Sequence, residues 1–195
     1  LRLASLLAEK SPNAALEQLM TAMAPRPDAI ELAVQNADCL IRIGQPDKAE
    51  LIATELVKDP KLAGSGHRIL GETALARADY AGAIDELAKA QGAGESFSAV
   101  APVMVAAYAK AGRLDDAISL LSDRIAKQSD DTGSARLLAS LYIQKGDAAN
   151  AERLLRQVIE QRPDESDTYL ELAQLLTAQR RSQDAISILE TAAQK

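Results

Sequence analysis

The residues that could carry nucleophilic or acid–base chemistry are few and scattered in this chain. His67 is its only histidine and Cys39 its only cysteine. A nucleophile needs a base beside it, and these two residues lie far apart in sequence. The paired acids Asp115-Asp116 and Asp130-Asp131 fall at predicted helix starts or turns, where the backbone dipole favours carboxylates. The sequence therefore indicates a protein that is not an enzyme, with packing as the role of His67.

The sequence also offers few residues suited to a metal, cofactor or nucleic-acid site. No Cys/His cluster has the spacing of a metal site, and the glycine stretches 64–66 and 92–94 do not continue as phosphate loops. We expect no metal and no cofactor. A net charge of −6 without clustered lysine and arginine argues against nucleic acid. No apolar run reaches the 18 or so residues that a membrane span requires, so no span is expected.

Two arginines are candidates for binding chemistry, because a guanidinium presents a fork of donors matched to carboxylate. Arg68 is followed four residues later by Glu72, and a local pair of that kind is the favoured interpretation of Arg68. Arg136 has no acid at that spacing on its own predicted helix. Two interpretations of Arg136 stay open: a solvated residue, or a contact to an acidic or extended partner.

The element that must position these residues is a repeat. Alanines recur at a constant interval of 34 residues: Ala15, Ala49, Ala83, Ala117, Ala151 and Ala185. A second set recurs twelve positions before them: Leu3, Ala37, Gly71, Val105, Ala139 and Ala173. Because most of the second set is also small, the two positions predict a close helix crossing in every unit. A period of this length is typical of solenoids.

Residues 132–165 show how one unit is built. Apolar residues recur at helical spacing on both sides of Gly146, and Pro163 follows the second run. The glycine predicts a left-handed residue that ends the first helix, and a helix cannot continue through the proline. The unit is therefore predicted to be a helix-turn-helix hairpin. A larger side chain at Ala139 or Ala151 is expected to overpack the crossing by about 1–3 kcal/mol.

At these positions the chain resembles the tetratricopeptide repeat family, whose unit has this length and these small residues. Asn36, Arg124 and Arg180 depart from the family pattern; Arg180 stands where the turn glycine is expected. The resemblance implies an all-α protein, a right-handed superhelical α-solenoid of antiparallel helix hairpins. We interpret 1–195 as a single array. Its predicted units are a partial repeat at 1–29, full repeats at 30–63, 64–97, 98–131 and 132–165, and a near-complete repeat at 166–195.

The resemblance also implies where a partner would bind. In this family the second, fifth, ninth, twelfth and thirteenth places of each first helix face a concave groove, and contacts are assigned here from the fifth and ninth. The groove contacts predicted in this way are Arg68, Glu72, Ala106, Arg136, Ser140, Leu170 and Gln174. The chain lacks the lysine and asparagine clamp that family members use on chaperone carboxylates.

Three functions follow as alternatives. The first is a non-catalytic scaffold that binds a protein or peptide on the concave face. The second is an architectural periplasmic segment of a bacterial envelope or exopolysaccharide export protein, which the sequence resembles only loosely. The third is a regulatory domain of a larger enzyme.

The sequence begins inside a predicted helix and stops before a unit is complete. It is thus expected to be a piece of a longer bacterial repeat protein, in which end-to-end self-association would be an artefact of the cut. A single cysteine leaves the compartment open between periplasm or envelope and cytoplasm, with the periplasm slightly favoured.

Overall fold

A computed structural model describes residues 27–194, and these form helices joined by short turns. The predicted partial repeat at 1–29 lies almost entirely outside the described residues, as does Ala15. The helices are α1 (Pro27–Arg42), α2 (Pro46–Val57), α3 (Ala63–Ala76), α4 (Tyr80–Gly92), α5 (Phe97–Lys110), α6 (Leu114–Lys127), α7 (Thr132–Lys145), α8 (Ala148–Gln161), α9 (Ser166–Ala178) and α10 (Ser182–Ala193). No strand occurs among the described residues, which confirms the all-α class.

The chain divides into two compact units that meet in sequence at Ala111 and Gly112. In the first, each helix from α1 to α5 packs on the next, and α3 also packs on α1 and α5. In the second, α6 to α10 likewise pack in consecutive pairs. The boundary falls inside the predicted repeat 98–131. The single continuous array therefore stays a prediction.

The alanines that recur every 34 residues, here called the alanine ladder, are buried in α2, α4, α6, α8 and α10. Ala49, Ala83, Ala117, Ala151 and Ala185 are all at most 5% exposed. The partner position is equally tight, because a Cβ added at Gly71 of α3 would lie 2.6 Å from Leu87 Cγ of α4 and 3.2 Å from the Ala83 carbonyl oxygen. A side chain fits there only if Leu87 shifts. The close crossing predicted from the two small positions is confirmed in the α3–α4 hairpin.

The turn between the helices of a hairpin keeps one backbone conformation through changes of residue type. Gly44, Gly112 and Gly146 have φ of 75°, 72° and 82°, and the equivalent Ala78 and Arg180 have φ of 61° and 63°. After the turn residue, the next N–H donates to a carbonyl five residues back, as from Asp147 to Tyr142 at 2.8 Å and from Arg181 to Leu176 at 2.9 Å. This bond is the signature of a Schellman cap. Since a left-handed residue with a Cβ costs about 1–2 kcal/mol, Ala78 and Arg180 are strained.

Side chains at several helix starts accept hydrogen bonds from first-turn N–H groups, which have no acceptor within the helix. Asp79, Asp131 and Asp147 accept from the N–H three residues later, at 2.9, 2.9 and 3.1 Å. Asp131 also accepts from Arg124 Nε at 2.9 Å. Although partial burial disfavours its charge, these hydrogen bonds, from the Ser134 N–H and then from Arg124, hold the pKa of Asp131 below its ordinary value. Asp131 thus caps α7, in agreement with its predicted place at a helix start.

Candidate binding groove and its ion pairs

Arg68 is held by carboxylates from two helices of the first unit. Its Nη1 donates to Glu72 Oε1 on the same helix, α3. Its Nη2 donates to Asp38 on α1, at 3.2 Å to Oδ1 and 3.4 Å to Oδ2. The local pair with Glu72 is therefore present, and Asp38 adds an acid from the preceding repeat.

The three charges of this cluster do not balance. Burial raises the pKa of the Glu72 carboxyl above its usual value, against the opposing effect of Arg68, and the like charge of Asp38 raises it further. Burial also disfavours the charged Arg68, yet the attraction of Glu72 and then Asp38 leaves its pKa raised. Two carboxylates share one guanidinium, so Arg68 has no surplus positive charge to offer an acidic partner.

Arg136 of α7 makes the equivalent arrangement in the second unit. Its Nη1 donates to Glu165 Oε1 at 2.8 Å, its Nε donates to Glu171 Oε2 at 3.3 Å, and its Nη2 donates to Glu171 Oε1. The hydrogen bonds and charge of Glu171, followed by those of Glu165, raise the pKa of the guanidinium. Arg136 has no acid on its own helix, but it is paired with Glu165, the residue before α9, and with Glu171 on α9. It is not simply solvated.

An open groove of about 330 Å³ lies between α7 and α9 of this unit. Its lining residues are Ala139, Ser140, Ile143, Leu155, Glu171, Gln174, Leu175 and Ala178. Ala139, Leu155 and Leu175 are buried and form an apolar floor. Ser140 and Gln174 are exposed polar residues of the rim. The surface thus combines an apolar base with a few polar groups, the usual make-up of a ligand site.

The predicted contacts are distributed unevenly around this groove. Ser140 and Gln174 line it, and Arg136 reaches it through Glu171. Leu170 lies on α9 with 51% of its surface exposed. The remaining predicted contacts, Arg68, Glu72 and Ala106, lie in the first unit, where Ala106 is half-buried on α5.

Glu171, Glu165 and Ile143 are not among the groove contacts predicted from sequence. Glu171 occupies the sixth place of its repeat and Glu165 the last place of the preceding one, and only the fifth and ninth places were taken as contacts. Ile143 is at the twelfth place and is 44% exposed. A search for acids about one repeat beyond each arginine would have found both glutamates.

Groups capable of catalysis do not assemble in the described part of the chain. His67 Nδ1 lies 2.7 Å from Glu86 Oε2, a contact between the two helices of one hairpin. Cys39 is exposed on α1. Residues 27–194 contain no group of three or more His, Cys, Asp or Glu side chains placed to hold a metal ion. Over the same residues, no helix combines the length and apolar character needed to cross a membrane.

The fold and the groove define a helical-repeat protein of paired antiparallel helices. Family profiles of the tetratricopeptide repeat match residues 35–96 and 142–195, together more than half of the chain. The chain belongs to the tetratricopeptide repeat family. Among curated protein sequences, none is significantly similar to it.

Solved structures share this fold at low sequence identity. A thermophilic tetratricopeptide repeat protein of Thermus thermophilus is 23% identical, with 91% of this chain and 97% of that chain covered and a TM-score of 0.65. MamA from Desulfovibrio magneticus is 15% identical, with 85% and 93% covered and a TM-score of 0.59. YrrB, described as a tetratricopeptide repeat protein with an unusual peptide-binding site, is 17% identical, with 91% of each chain covered and a TM-score of 0.53.

Proposed function

We propose that this protein is a non-catalytic interaction scaffold that binds a peptide segment of a partner protein in the groove between α7 and α9. The observation that carries the proposal is the groove itself, with its buried apolar floor of Ala139, Leu155 and Leu175 beneath an open polar rim. An apolar floor favours aliphatic side chains of a ligand, because removal of those side chains from water on binding is favourable.

The rim supports a peptide as the ligand. Ser140 on α7 and Gln174 on α9 both line the groove. Their side chains carry donors and acceptors, which suit the alternating N–H and C=O groups of a peptide backbone. Ile143 adds an exposed aliphatic contact. The peptide-binding site described for YrrB, which shares the fold, adds further support.

The test is a selection of phage-displayed random peptides on the protein, followed by binding of the enriched peptides to two tryptophan variants. Gln174→Trp fills the groove from an exposed position, so it is expected to fold normally and to lose the selected peptides. Gln183→Trp places the same change on the exposed face of α10, outside the groove lining. It should bind them as the unmodified protein does. Equal binding by all three proteins would exclude the groove as the site.

A further inference from the structure

The charge around the groove indicates what kind of segment fits it. The charged side chains of α7, α9 and the residue capping α9 are Arg136, Lys145, Glu165, Asp167 and Glu171. Lys145 is bonded to Asp115 at 2.6 Å, and Arg136 is bonded to Glu165 and Glu171. Both cations are therefore already paired with carboxylates of the protein. The three carboxylates of these elements outnumber the two cations.

The surplus negative charge is concentrated at one end of the groove. Asp167 and Glu171 are four residues apart on α9, so their side chains share one face of that helix. Asp167 is exposed, and the Glu171 side chain is 38% exposed beside Arg136. Arg180 follows α9 nine residues after Glu171, about 13 Å further along at the helical rise. The acidic end is thus the end that carries Asp167 and Glu171.

Glu171 keeps binding capacity although it is paired. An ionised carboxylate has about four lone-pair sites, and Arg136 uses two of them. The second oxygen of Glu165 is buried and has no hydrogen-bond partner within the described structure. A cation placed beside Glu171 would meet a carboxylate with free lone-pair sites in a half-buried setting, where attraction is stronger than in water.

We propose that the groove selects a basic peptide segment, with an aliphatic side chain on the floor of Ala139, Leu155 and Leu175 and a lysine or arginine at Glu171 and Asp167. This inference rests on the proposed function, because it names the partner of the same groove. It replaces the sequence-based expectation that Arg136 contacts an acidic partner. Arg136 acts as a positioning residue that holds the Glu171 carboxylate at the wall of the groove.

The test uses three fluorescent pools of nine-residue peptides that share their leucine, isoleucine and alanine positions. The other positions carry lysine and arginine in the basic pool, aspartate and glutamate in the acidic pool, and serine and glutamine in the neutral pool. Fluorescence anisotropy is measured at low and at moderate salt. The basic pool is expected to bind at least about tenfold more tightly than the acidic pool, with a preference that shrinks as salt rises.

Variants separate the groove from the overall charge of the protein. Glu171→Gln should weaken the basic pool about threefold to tenfold and leave the neutral pool unchanged. Glu160→Gln removes the same charge from an exposed position on α8 and should change neither. An equal loss with Glu160→Gln would show attraction to net charge alone and overturn the inference.

The two proposals fail in different ways. If the acidic or neutral pool binds as tightly as the basic one, and Gln174→Trp abolishes that binding, the basic partner is wrong and the groove function stands. If no pool binds in a manner that Gln174→Trp abolishes, the groove function is wrong, and the inference falls with it.

Discussion

Arg136 on α7 donates to both carboxylate oxygens of Glu171 on α9, across the groove wall and one repeat further along the chain. This pair links consecutive repeats of the second unit, and Arg68 with Asp38 does the same in the first. In both units the arginine satisfies carboxylates of the protein itself. The consequence is a surface with surplus negative charge where the sequence had suggested positive contacts.

Removal of the Arg68 guanidinium should destabilise the protein in a way that acid partly reverses. Arg68→Gln leaves Asp38 and Glu72 close together without a cation, and we expect a loss of about 1–3 kcal/mol at pH 7. The pKa of Glu72 is already raised by burial and should rise further above its unfolded value of about 4.3. The folded variant then takes up a proton more readily than the unfolded one, so the deficit shrinks as pH falls through that raised pKa.

Urea unfolding of the protein and of Arg68→Gln from pH 7 down to about pH 4.5 measures this difference. Arg113→Gln, a change of the same kind at an exposed position before α6 in the second unit, is the comparison. A deficit for Arg68→Gln that is constant across the pH range would contradict the charge cluster as described.

The turn residues Ala78 and Arg180 should each be improved by glycine. Both adopt a left-handed backbone with φ near 60°, which glycine accepts without the Cβ penalty. We expect Ala78→Gly and Arg180→Gly to stabilise by about 0.5–1 kcal/mol. In the reverse change, Gly146→Ala, no atom lies within 4 Å of the new Cβ. The stability that this variant loses therefore reflects backbone strain alone. Thermal melting checks all three, and destabilisation by both glycine variants would refute the strain.

The buried ladder should reject a larger side chain. Ala151 is fully buried at the crossing of α7 and α8, and Ala151→Leu is expected to overpack it by about 1–3 kcal/mol. Ala193→Leu makes the same change at an exposed position of α10 and should have little effect. Calorimetric melting compares the two, and an unchanged midpoint for Ala151→Leu would show the register to be wrong.

The outer face of α10 should promote self-association. The residue four places after the ladder alanine is fully buried in the preceding hairpins, at Ala53, Leu87, Leu121 and Leu155. Its equivalent, Leu189, is 43% exposed, and Ile186 one turn earlier is 49% exposed. We expect concentration-dependent association that Leu189→Lys abolishes. Sedimentation equilibrium measures it, and association that persists in Leu189→Lys would place the contact elsewhere.

The hairpins could be predicted from sequence because their determinants are local or periodic. The small residues at Gly71 and Ala83 recur at fixed places, and Gly146 ends its helix through its own conformation. At Ala78 and Arg180 the same conformation is imposed by the surrounding hairpin, which residue preference alone does not reveal. The predicted turn at those positions is correct because the repeat, rather than the single residue, determines it.

The ion pairs that join repeats could be predicted less well. The bond from Arg68 to Glu72 lies within one helix and follows from a spacing of four residues. The bonds from Arg136 to Glu165 and Glu171 reach from α7 to the start of α9, and their offsets of 29 and 35 residues depend on how the helices cross. The sequence shows that the acids are present but not how far they lie from the arginine. The groove likewise depends on how the helices cross.

The most direct test of the groove is an NMR titration of the ¹⁵N-labelled protein with the peptide most enriched in the phage selection. Binding in the groove predicts amide shifts concentrated in residues 139–144 of α7 and 170–178 of α9, and their loss in Gln174→Trp. Shifts concentrated instead on α10 or on the exposed face of α8, and unaffected by Gln174→Trp, would contradict a peptide site between α7 and α9.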